Sequence, residues 1–333
     1  MPDVTRRSLM TGIAATGALA ATTSLAQGDA LEFMPDLSGK SILITGCSSG
    51  FGRLGAEHYA RLGAKVFATM RNTPRPEAEE LIAVARNDDL DIEVLRLDVN
   101  EPSEIEDAVT YVDRALGGGA IDVLINNAGI GITSPVEIQD MEATRLIFET
   151  NVFGPHRLAR AFLPGMRERG SGQIIQISSQ LGRVIVPYSG HYSATKFALE
   201  SMSEQLAYEL VPHNIDVTII EPGGYPTKVW VNRNMYSAAL KARTPDHHAA
   251  GYPAQFDRMG HEDGSGRSAD PMDVPRAIAK LIAMPQGTRP LRQAVSGGSI
   301  PQLAINEVCA ETQVGWLGRS PALGPLMRAV HKV

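Results

Sequence analysis

Short apolar runs alternate with segments of helical periodicity along most of this chain. The first pair is the run at 41–45, followed by residues 51–62, in which apolar side chains recur every three or four positions. The same order returns as far as a strand-like run at 216–220. Such alternation is typical of βαβ units and a parallel sheet. The pattern therefore predicts an α/β fold, a doubly wound parallel sheet of the Rossmann type in three α/β/α layers.

All strands and helices that the pattern predicts lie before residue 223. Between 223 and 271 the periodicity weakens and Gly, Pro, His and Asp are frequent. This segment follows the carboxyl end of a strand, where open sheets bind ligands, so it is predicted to be a loop region covering the substrate. An ordinary surface insertion is the alternative. The predicted strands are 41–45, 66–70, 92–97, 120–125, 173–178 and 216–220, and the predicted helices are 51–62, 76–86, 101–116, 143–166 and 192–210.

No repeat or Pro/Ser-rich linker divides the chain after its N-terminal segment. We therefore predict a single domain over residues 38–300 and an extension at 301–333 to which the sequence assigns no role. The net charge is −6 and no basic stripe is present, so nucleic-acid binding is not expected. Two cysteines and the pair His247–His248 lack the spacing of metal ligands, so no metal site is predicted.

The first 27 residues differ in composition from the rest. Arg6 and Arg7 precede an uncharged stretch of Ala, Thr, Leu and Gly, and Ser24 and Ala26 fit the small positions before a signal-peptidase site. Residues 1–27 thus resemble a twin-arginine (Tat) export signal, which predicts a periplasmic protein. The stretch is too weakly apolar for a stable membrane span. A disordered Ala-rich tail or a misplaced start site, with a cytoplasmic protein, is the alternative.

A glycine-rich loop, TGCSSGFG, joins the first strand to the first helix. Gly46 and Gly50 allow a tight turn and the close approach of a pyrophosphate, and Gly52 allows the helix to pack against the strand. The helix that begins here directs free N–H groups and the positive end of its dipole toward the phosphates. The loop therefore indicates a dinucleotide site, with a glycine turn that binds no ligand as the alternative.

This loop has the form TGxxxGxG of the short-chain dehydrogenase/reductase family, and four further stretches match that family in order. They are LDV, NNAG, YSATK in place of YxxxK, and EPGGYPT, and together the matches span roughly residues 38–230. The chain resembles the branch of NADP(H)-dependent carbonyl reductases related to 17β-hydroxysteroid dehydrogenases. The resemblance implies coenzyme contacts from Gly46, Ser48, Ser49, Gly50, Phe51, Gly52, Arg71, Asp98, Asn126, Ala128, Gly129, Tyr192, Lys196, Pro222, Gly223 and Thr227.

The end of the second strand bears on the choice of coenzyme. NAD-binding proteins usually place a carboxylate there for the ribose hydroxyls, whereas this chain has Met70 and then Arg71. A guanidinium can bind a 2′-phosphate through two hydrogen bonds, and Arg75 is a second candidate. NADP(H) is therefore expected rather than NAD(H), although an arginine at a strand end can also be merely solvated.

Tyr192 and Lys196 are four residues apart on a predicted helix and so share one face. A tyrosine hydroxyl titrates near about 10, so exchanging a proton at neutral pH requires a lower pKa. A neighbouring ammonium and a positive nicotinamide ring would both stabilise the phenolate. The resemblance adds Ser179, which would orient the substrate carbonyl, and Asn151, which would hold a water linked to Lys196. Ser178 is a weaker candidate than Ser179.

These residues predict an enzyme that interconverts an alcohol and a ketone or aldehyde, with Tyr192 as general acid and base. Other hypotheses are a non-catalytic NADP(H)-binding sensor or scaffold on the same fold, a sugar-nucleotide epimerase or dehydratase, and an exported protein without redox chemistry. Apolar residues such as Val186, Tyr225, Val229 and Trp230 favour a mostly apolar substrate. The resemblance implies a homodimer or homotetramer.

Overall fold

Seven parallel strands form one sheet at the centre of the computed structural model, which describes residues 34–333. The strand order is β3-β2-β1-β4-β5-β6-β7, so the order reverses between β1 and β4, where such sheets open a ligand crevice. The predicted doubly wound parallel sheet is thereby confirmed. The leader predicted at 1–27 lies outside the described residues. The strands are β1 (Ser41–Ile44), β2 (Lys65–Met70), β3 (Ile92–Arg96), β4 (Val123–Asn126), β5 (Gly172–Ile177), β6 (Ile215–Pro222) and β7 (Arg292–Val295).

Helices cover both faces of the sheet, because successive strand residues point to opposite sides. Ile42 and Ile44 of β1 belong to one buried cluster, and Leu43 between them belongs to a second cluster on the other face. Within the described residues no helix is long and apolar enough to cross a bilayer. The helices are α1 (Gly50–Arg61), α2 (Pro76–Asn87), α3 (Pro102–Ala115), α4 (Met141–Phe148), α5 (Gly154–Arg169), α6 (Tyr192–Leu210), α7 (Val229–Arg243), α8 (Asp246–Ala249), α9 (Pro253–Arg258), α10 (Asp273–Ala283), α11 (Gln302–Leu317) and α12 (Gly324–His331).

Two segments differ from the sequence expectation. The helix predicted over 143–166 is continuous from Met141 to Arg169, but a π-helical segment at Glu149–Phe153 divides it into α4 and α5. The segment 223–271, predicted to be a loop, contains α7, α8 and α9. Helix α7 packs Leu240 into a third buried cluster and presents other side chains to a cavity, so its apolar residues do not follow a single stripe.

The C-terminal helices α11 and α12 pack against helix α6. Met327 and Val330 of α12 enter the second buried cluster. Polar contacts reinforce the packing, because Tyr208 Oη lies 2.6 Å from His331 Nε2 and Gln313 Nε2 donates to Glu204 Oε1 at 2.6 Å. Residues 301–333, whose role the sequence left open, thus cover one side of α6.

A buried ionic cluster lies where α6, β6, β7 and α11 meet. Arg292 Nε donates to Glu200 Oε2 at 2.8 Å, and Arg292 Nη2 donates to Glu204 Oε2 at 2.6 Å. The Glu221 carboxylate is 3.6 Å from Arg292 Nε and accepts two hydrogen bonds from Asn306 Nδ2, at 3.0 and 2.9 Å. One guanidinium therefore serves three buried carboxyl groups.

Candidate active site

The glycine loop after β1 is built around close backbone contacts. Gly46 and Gly50 have positive φ angles of 75° and 57°. A methyl group on Gly52 would lie only 2.4 Å from the carbonyl oxygen of Gly46. Asn127, after β4, fixes the loop from its other side, because its Nδ2 donates to the Thr45 carbonyl at 2.7 Å. The sequence fits this turn because glycine alone avoids these clashes.

Helix α1 begins at the cavity, and no side chain in the described part of the chain accepts a hydrogen bond from the backbone N–H groups of its first turn. Ser49 is the N-cap residue but makes no side-chain capping bond, and the first turn contains no acidic residue. Gly50 and Phe51, the first residues of the helix, line the cavity. Free N–H groups and a positive dipole end are thus directed at the place where a phosphate group would bind.

A cavity of about 460 Å³ lies at the carboxyl ends of β1, β4, β5 and β6. Three of the predicted site residues do not line it. Gly52 packs below the loop, Asn126 is buried with its Nδ2 3.5 Å from the Pro155 carbonyl, and Asn151 is buried one layer further in. The predicted residues that line the cavity are Gly46, Ser48, Ser49, Gly50, Phe51, Arg71, Asp98, Ala128, Gly129, Ser179, Tyr192, Lys196, Pro222, Gly223 and Thr227.

Arg71 follows β2 at one end of the cavity, next to Asp98. Its Nη2 donates to the hydroxyl of Tyr236 on α7 at 2.8 Å. Arg75 also lines the cavity, and its Nε donates to Glu77 Oε2 at 2.8 Å. Two guanidinium groups are therefore available at the end of the cleft where a coenzyme of this fold would place its adenosine ribose.

Asn151 is held by the π-helical segment and by three hydrogen bonds. Its Oδ1 accepts from the Ile130 amide at 2.8 Å, and its Nδ2 donates to the Ile130 carbonyl at 2.9 Å and to Thr195 Oγ1 at 3.1 Å. A methyl group on Gly129 would lie 3.3 Å from Asn151 Oδ1 and 3.8 Å from Lys196 Nζ. Asn151 and Lys196 therefore converge on the same glycine. Their predicted link through a water stays a prediction.

Tyr192 and Lys196 occupy the first two turns of α6, as their spacing predicts. Lys196 Nζ lies 5.8 Å from the centre of the Tyr192 ring and donates to the Ile177 carbonyl at 2.8 Å. Ser179, which follows β5, lines the same cavity as Tyr192, and its Oγ accepts a hydrogen bond from the Leu181 amide at 3.1 Å. The strand end and the helix start thus bring two hydroxyl groups and one ammonium group together.

The pKa values of Tyr192 and Lys196 are both shifted by burial. Burial raises the pKa of Tyr192 above its usual value, and the hydrogen bond from Ser179 and the positive charge of Arg233 only partly oppose that shift. Burial also lowers the pKa of Lys196 to about 8, an effect that Glu200 opposes. The acidification of Tyr192 by Lys196 together with a positive nicotinamide ring stays a prediction.

The geometry fits a nicotinamide dinucleotide. The loop and the α1 N-terminus form a cradle for a pyrophosphate, and Thr227 faces Gly50 across the cleft, with its Cβ 3.5 Å from where a methyl group on Gly50 would lie. Lys196 and Tyr192 line the other end of the same cavity. Among the described residues no group of three or more His, Cys, Asp or Glu side chains gathers as it would around a metal ion.

Three residues that contribute to the site were not identified from the sequence. Asn127 lies inside the NNAG motif, which was its only signal, and Thr195 lies inside YSATK. Arg233 projects from α7 into the cavity wall and interacts electrostatically with Tyr192. Nothing in the local sequence distinguishes Arg233 from a solvated helical arginine.

Comparison with known proteins is consistent with this site. A family model described as short chain dehydrogenase matches residues 40–237. The chain is 36% identical over 242 residues to 3-ketodihydrosphingosine reductase of Bacteroides thetaiotaomicron, a match that covers 73% of this chain and 83% of that protein. It is 31% identical over 274 residues to bovine (Bos taurus) retinol dehydrogenase 8, covering 80% and 84% of the two chains.

Solved structures show the same relationship. A short-chain dehydrogenase from Streptomyces avermitilis is 32% identical and superimposes with a TM-score of 0.64, covering 84% of this chain and 97% of that one. Two structures that share the fold at 24% and 23% identity were solved in complex with NADP and with NAD respectively. The chain therefore belongs to the short-chain dehydrogenase/reductase family of oxidoreductases.

Proposed function

We propose that this protein is an NADP(H)-dependent oxidoreductase that interconverts an alcohol and a ketone or aldehyde, with Tyr192 as the general acid and base. The observation that carries the proposal is the convergence of Tyr192, Ser179 and Lys196 in the cavity that the glycine loop enters. A sensor that only bound the nucleotide would not need these three groups together.

Each of these side chains has its own role in carbonyl reduction. The bound coenzyme supplies the hydride. Tyr192 Oη donates its proton to the carbonyl oxygen as negative charge develops there, and Ser179 Oγ donates a second hydrogen bond to the same oxygen. In the opposite direction Tyr192 accepts the proton of the alcohol. The walls of the cavity hold the two reactants close together and keep bulk water away.

Lys196 and Asn151 act on Tyr192 rather than on the substrate. Lys196 Nζ would hold the ribose next to the nicotinamide, and its charge stabilises the phenolate. Asn151 fixes the segment that contains Gly129 and Ile130 and leaves its Oδ1 3.3 Å from a methyl position on Gly129, close to Lys196. Proton exchange between Tyr192 and solvent would follow this line of groups.

The preference for NADP(H) rests on Arg71. No carboxylate follows Met70 at the end of β2, and the Arg71 guanidinium lines the cleft. A guanidinium attracts a 2′-phosphate, whereas the carboxylate of NAD-binding relatives would repel it. Replacing Arg71 by Glu should lower the ratio of kcat/KM for NADPH over NADH by at least about tenfold.

The substrate, the assembly and the cellular location belong to the same proposal. Apolar residues such as Ile132, Leu181 and Trp230 line the cavity, which supports a substrate with a large apolar part. A homodimer or homotetramer is proposed from the family resemblance. Export through the N-terminal segment is proposed from Arg6 and Arg7, and exchanging both for lysine should leave the protein in the cytoplasm if that segment is used.

The test follows NADPH oxidation by absorbance with a panel of ketones and aldehydes. Tyr192→Phe should reduce turnover by at least about a hundredfold, the usual contribution of a general acid. Tyr188→Phe is the matched control, because Tyr188 is 52% exposed and lies outside the cavity wall. Tight NADPH binding without turnover of any carbonyl or alcohol would instead support the sensor hypothesis.

A further inference from the structure

Helix α7 places an arginine in the wall of the substrate cavity. A methyl group on Gly131 would lie 3.5 Å from both Cβ and Cδ of Arg233, so the arginine side chain runs along the segment that starts at Gly129. Arg233 and Tyr192 line the same cavity, and the positive charge of Arg233 acts on the Tyr192 hydroxyl. The Arg233 side chain therefore lies against Gly131 in the cavity wall, and its charge reaches the Tyr192 hydroxyl.

The side chain is held in place before any ligand binds. The Arg233 guanidinium carbon lies 4.2 Å from the centre of the Trp230 ring, and the guanidinium of Arg267 lies 3.4 Å from the same ring. Trp230 is itself fixed, because its Nε1 donates to the Tyr225 carbonyl at 2.6 Å. Stacking on an anchored aromatic ring reduces the entropy that a binding arginine would otherwise lose.

The charge of Arg233 is incompletely balanced by its protein neighbours. Glu262 forms an ion pair with Nη2, whereas Nε is buried without a hydrogen-bond partner in the described part of the chain. Arg267 adds a second positive charge at Trp230. The carboxylate that interacts with Arg267, Asp263, is fully exposed to solvent. Burial and the charge of Arg267 lower the pKa of Arg233 to about 10. At Trp230 two guanidinium groups therefore lie beside the one carboxylate of Glu262, and an anion entering the cavity would be attracted by the excess positive charge.

We propose that Arg233 binds the carboxylate of the substrate, so that the physiological substrate is an oxo acid or the corresponding hydroxy acid with an apolar chain. This inference rests on the proposed oxidoreductase function and specifies its substrate class. The planar guanidinium matches a carboxylate, and Glu262 beside it favours a single negative charge over a doubly charged phosphate. Ile132, Leu181 and Met235 supply the apolar surface for the rest of the chain.

The experiment compares acids with esters of the same carbon skeleton. The wild-type protein is assayed with NADPH and straight-chain oxo acids whose carbonyl is at position 2, 3, 4 or 5, each beside its methyl ester. At the best position the acid should exceed its ester in kcat/KM by about tenfold to a hundredfold, the usual worth of a charged hydrogen bond. Arg233→Gln should reduce this ratio to near one, and Arg233→Lys should retain part of it.

Arg243→Gln is the matched control, because Arg243 is on the same helix but pairs at the surface with Asp140. It makes the same change of charge outside the cavity and should keep the acid preference. A readout without turnover uses NADPH fluorescence in the complex with the protein. Hexanoate should change it saturably and methyl hexanoate should not, and Arg233→Gln should abolish the hexanoate signal.

Acid and ester used equally well by the wild-type protein would overturn the inference while leaving the oxidoreductase function intact. Equal losses for acid and ester in Arg233→Gln, with a shifted pH profile, would also overturn it and assign Arg233 to the acidity of Tyr192. A preference for dihydroxyacetone phosphate over every oxo acid would overturn the choice of carboxylate. Reduction of no carbonyl compound at all would instead contradict the proposed function.

Discussion

Replacing Arg292 by leucine removes a guanidinium that contacts three buried carboxyl groups. The side chains of Glu200 and Glu221 are 1% and 0% exposed, and that of Arg292 is 8% exposed. Water therefore cannot replace the lost partner. Removing one member of a buried ion pair typically costs about 3–5 kcal/mol, because the remaining charge stays desolvated.

That loss is a large part of the total stability of a folded protein, which is about 5–15 kcal/mol. Arg292→Leu should lower the melting temperature by roughly 5–15 °C, given about 2–4 °C per kcal/mol for chains of up to about 250 residues and somewhat less for longer ones. Urea unfolding followed by circular dichroism gives the free energy directly. The surface pair Arg61–Asp88 supplies the control, since Arg61→Leu removes a half-exposed partner and should cost at most about 1 kcal/mol.

The free energy of unfolding that Arg292→Leu loses should also depend on pH. Burial, with the negative charge of Glu200, raises the pKa of Glu221 from 4.5 to about 7. A carboxyl group with a raised pKa in the folded state binds a proton there more tightly than in the unfolded state, so its contribution to stability falls as pH rises through this range. Without Arg292 the shift grows, so the variant should lose more at pH 8 than at pH 5. A loss below 1 kcal/mol at pH 8, equal to that of Arg61→Leu, would refute this reasoning.

Three further predictions follow from single contacts. Gly52→Ala places a methyl group 2.4 Å from the Gly46 carbonyl and should weaken NADPH binding at least about tenfold in a fluorescence titration, whereas Gly315→Ala, with nothing within 4 Å, should not. Met327→Ala should cost about 2–5 kcal/mol in urea unfolding, because Met327 is buried, while the partly exposed Leu303→Ala should cost less than half as much. In the coenzyme-free protein the Tyr192 hydroxyl should titrate above its usual pKa by ultraviolet difference spectroscopy with Tyr192→Phe as blank, and Arg233→Gln should raise that pKa further.

Local sequence signals were sufficient to predict the strands, the turn and the helices that line the coenzyme end of the cavity. An apolar run followed by glycines specifies the turn between β1 and α1, since few other residues can adopt its backbone angles. Helix α6 begins at Tyr192 and ends at Leu210, as its periodicity predicts. Parallel strands then bring their carboxyl ends together, so residues distant in sequence line a single cleft.

The remaining features depend on tertiary contacts that leave no local pattern. The π-helical segment between α4 and α5 is accompanied by the hydrogen bonds between Asn151 and the backbone of Ile130, which is distant in sequence. Strand β7 is half-buried throughout and begins with Arg292, whose partners are on other elements. Arg233 acquires its role only because α7 lies over the cavity.

The role of Tyr192 as the proton donor that accompanies hydride transfer is the central claim, and the rate of isotope transfer in a Tyr192 variant tests it most directly. NADPH with deuterium at both C4 positions of the nicotinamide would be incubated with a panel of carbonyl compounds, and the products analysed by mass spectrometry. We expect one deuterium on the carbinol carbon with the wild-type protein and with Tyr188→Phe, and a rate at least about a hundredfold lower with Tyr192→Phe. Label transfer at an undiminished rate in Tyr192→Phe would contradict the assigned role of Tyr192, and absence of labelled alcohol from the wild-type protein would contradict the oxidoreductase function itself.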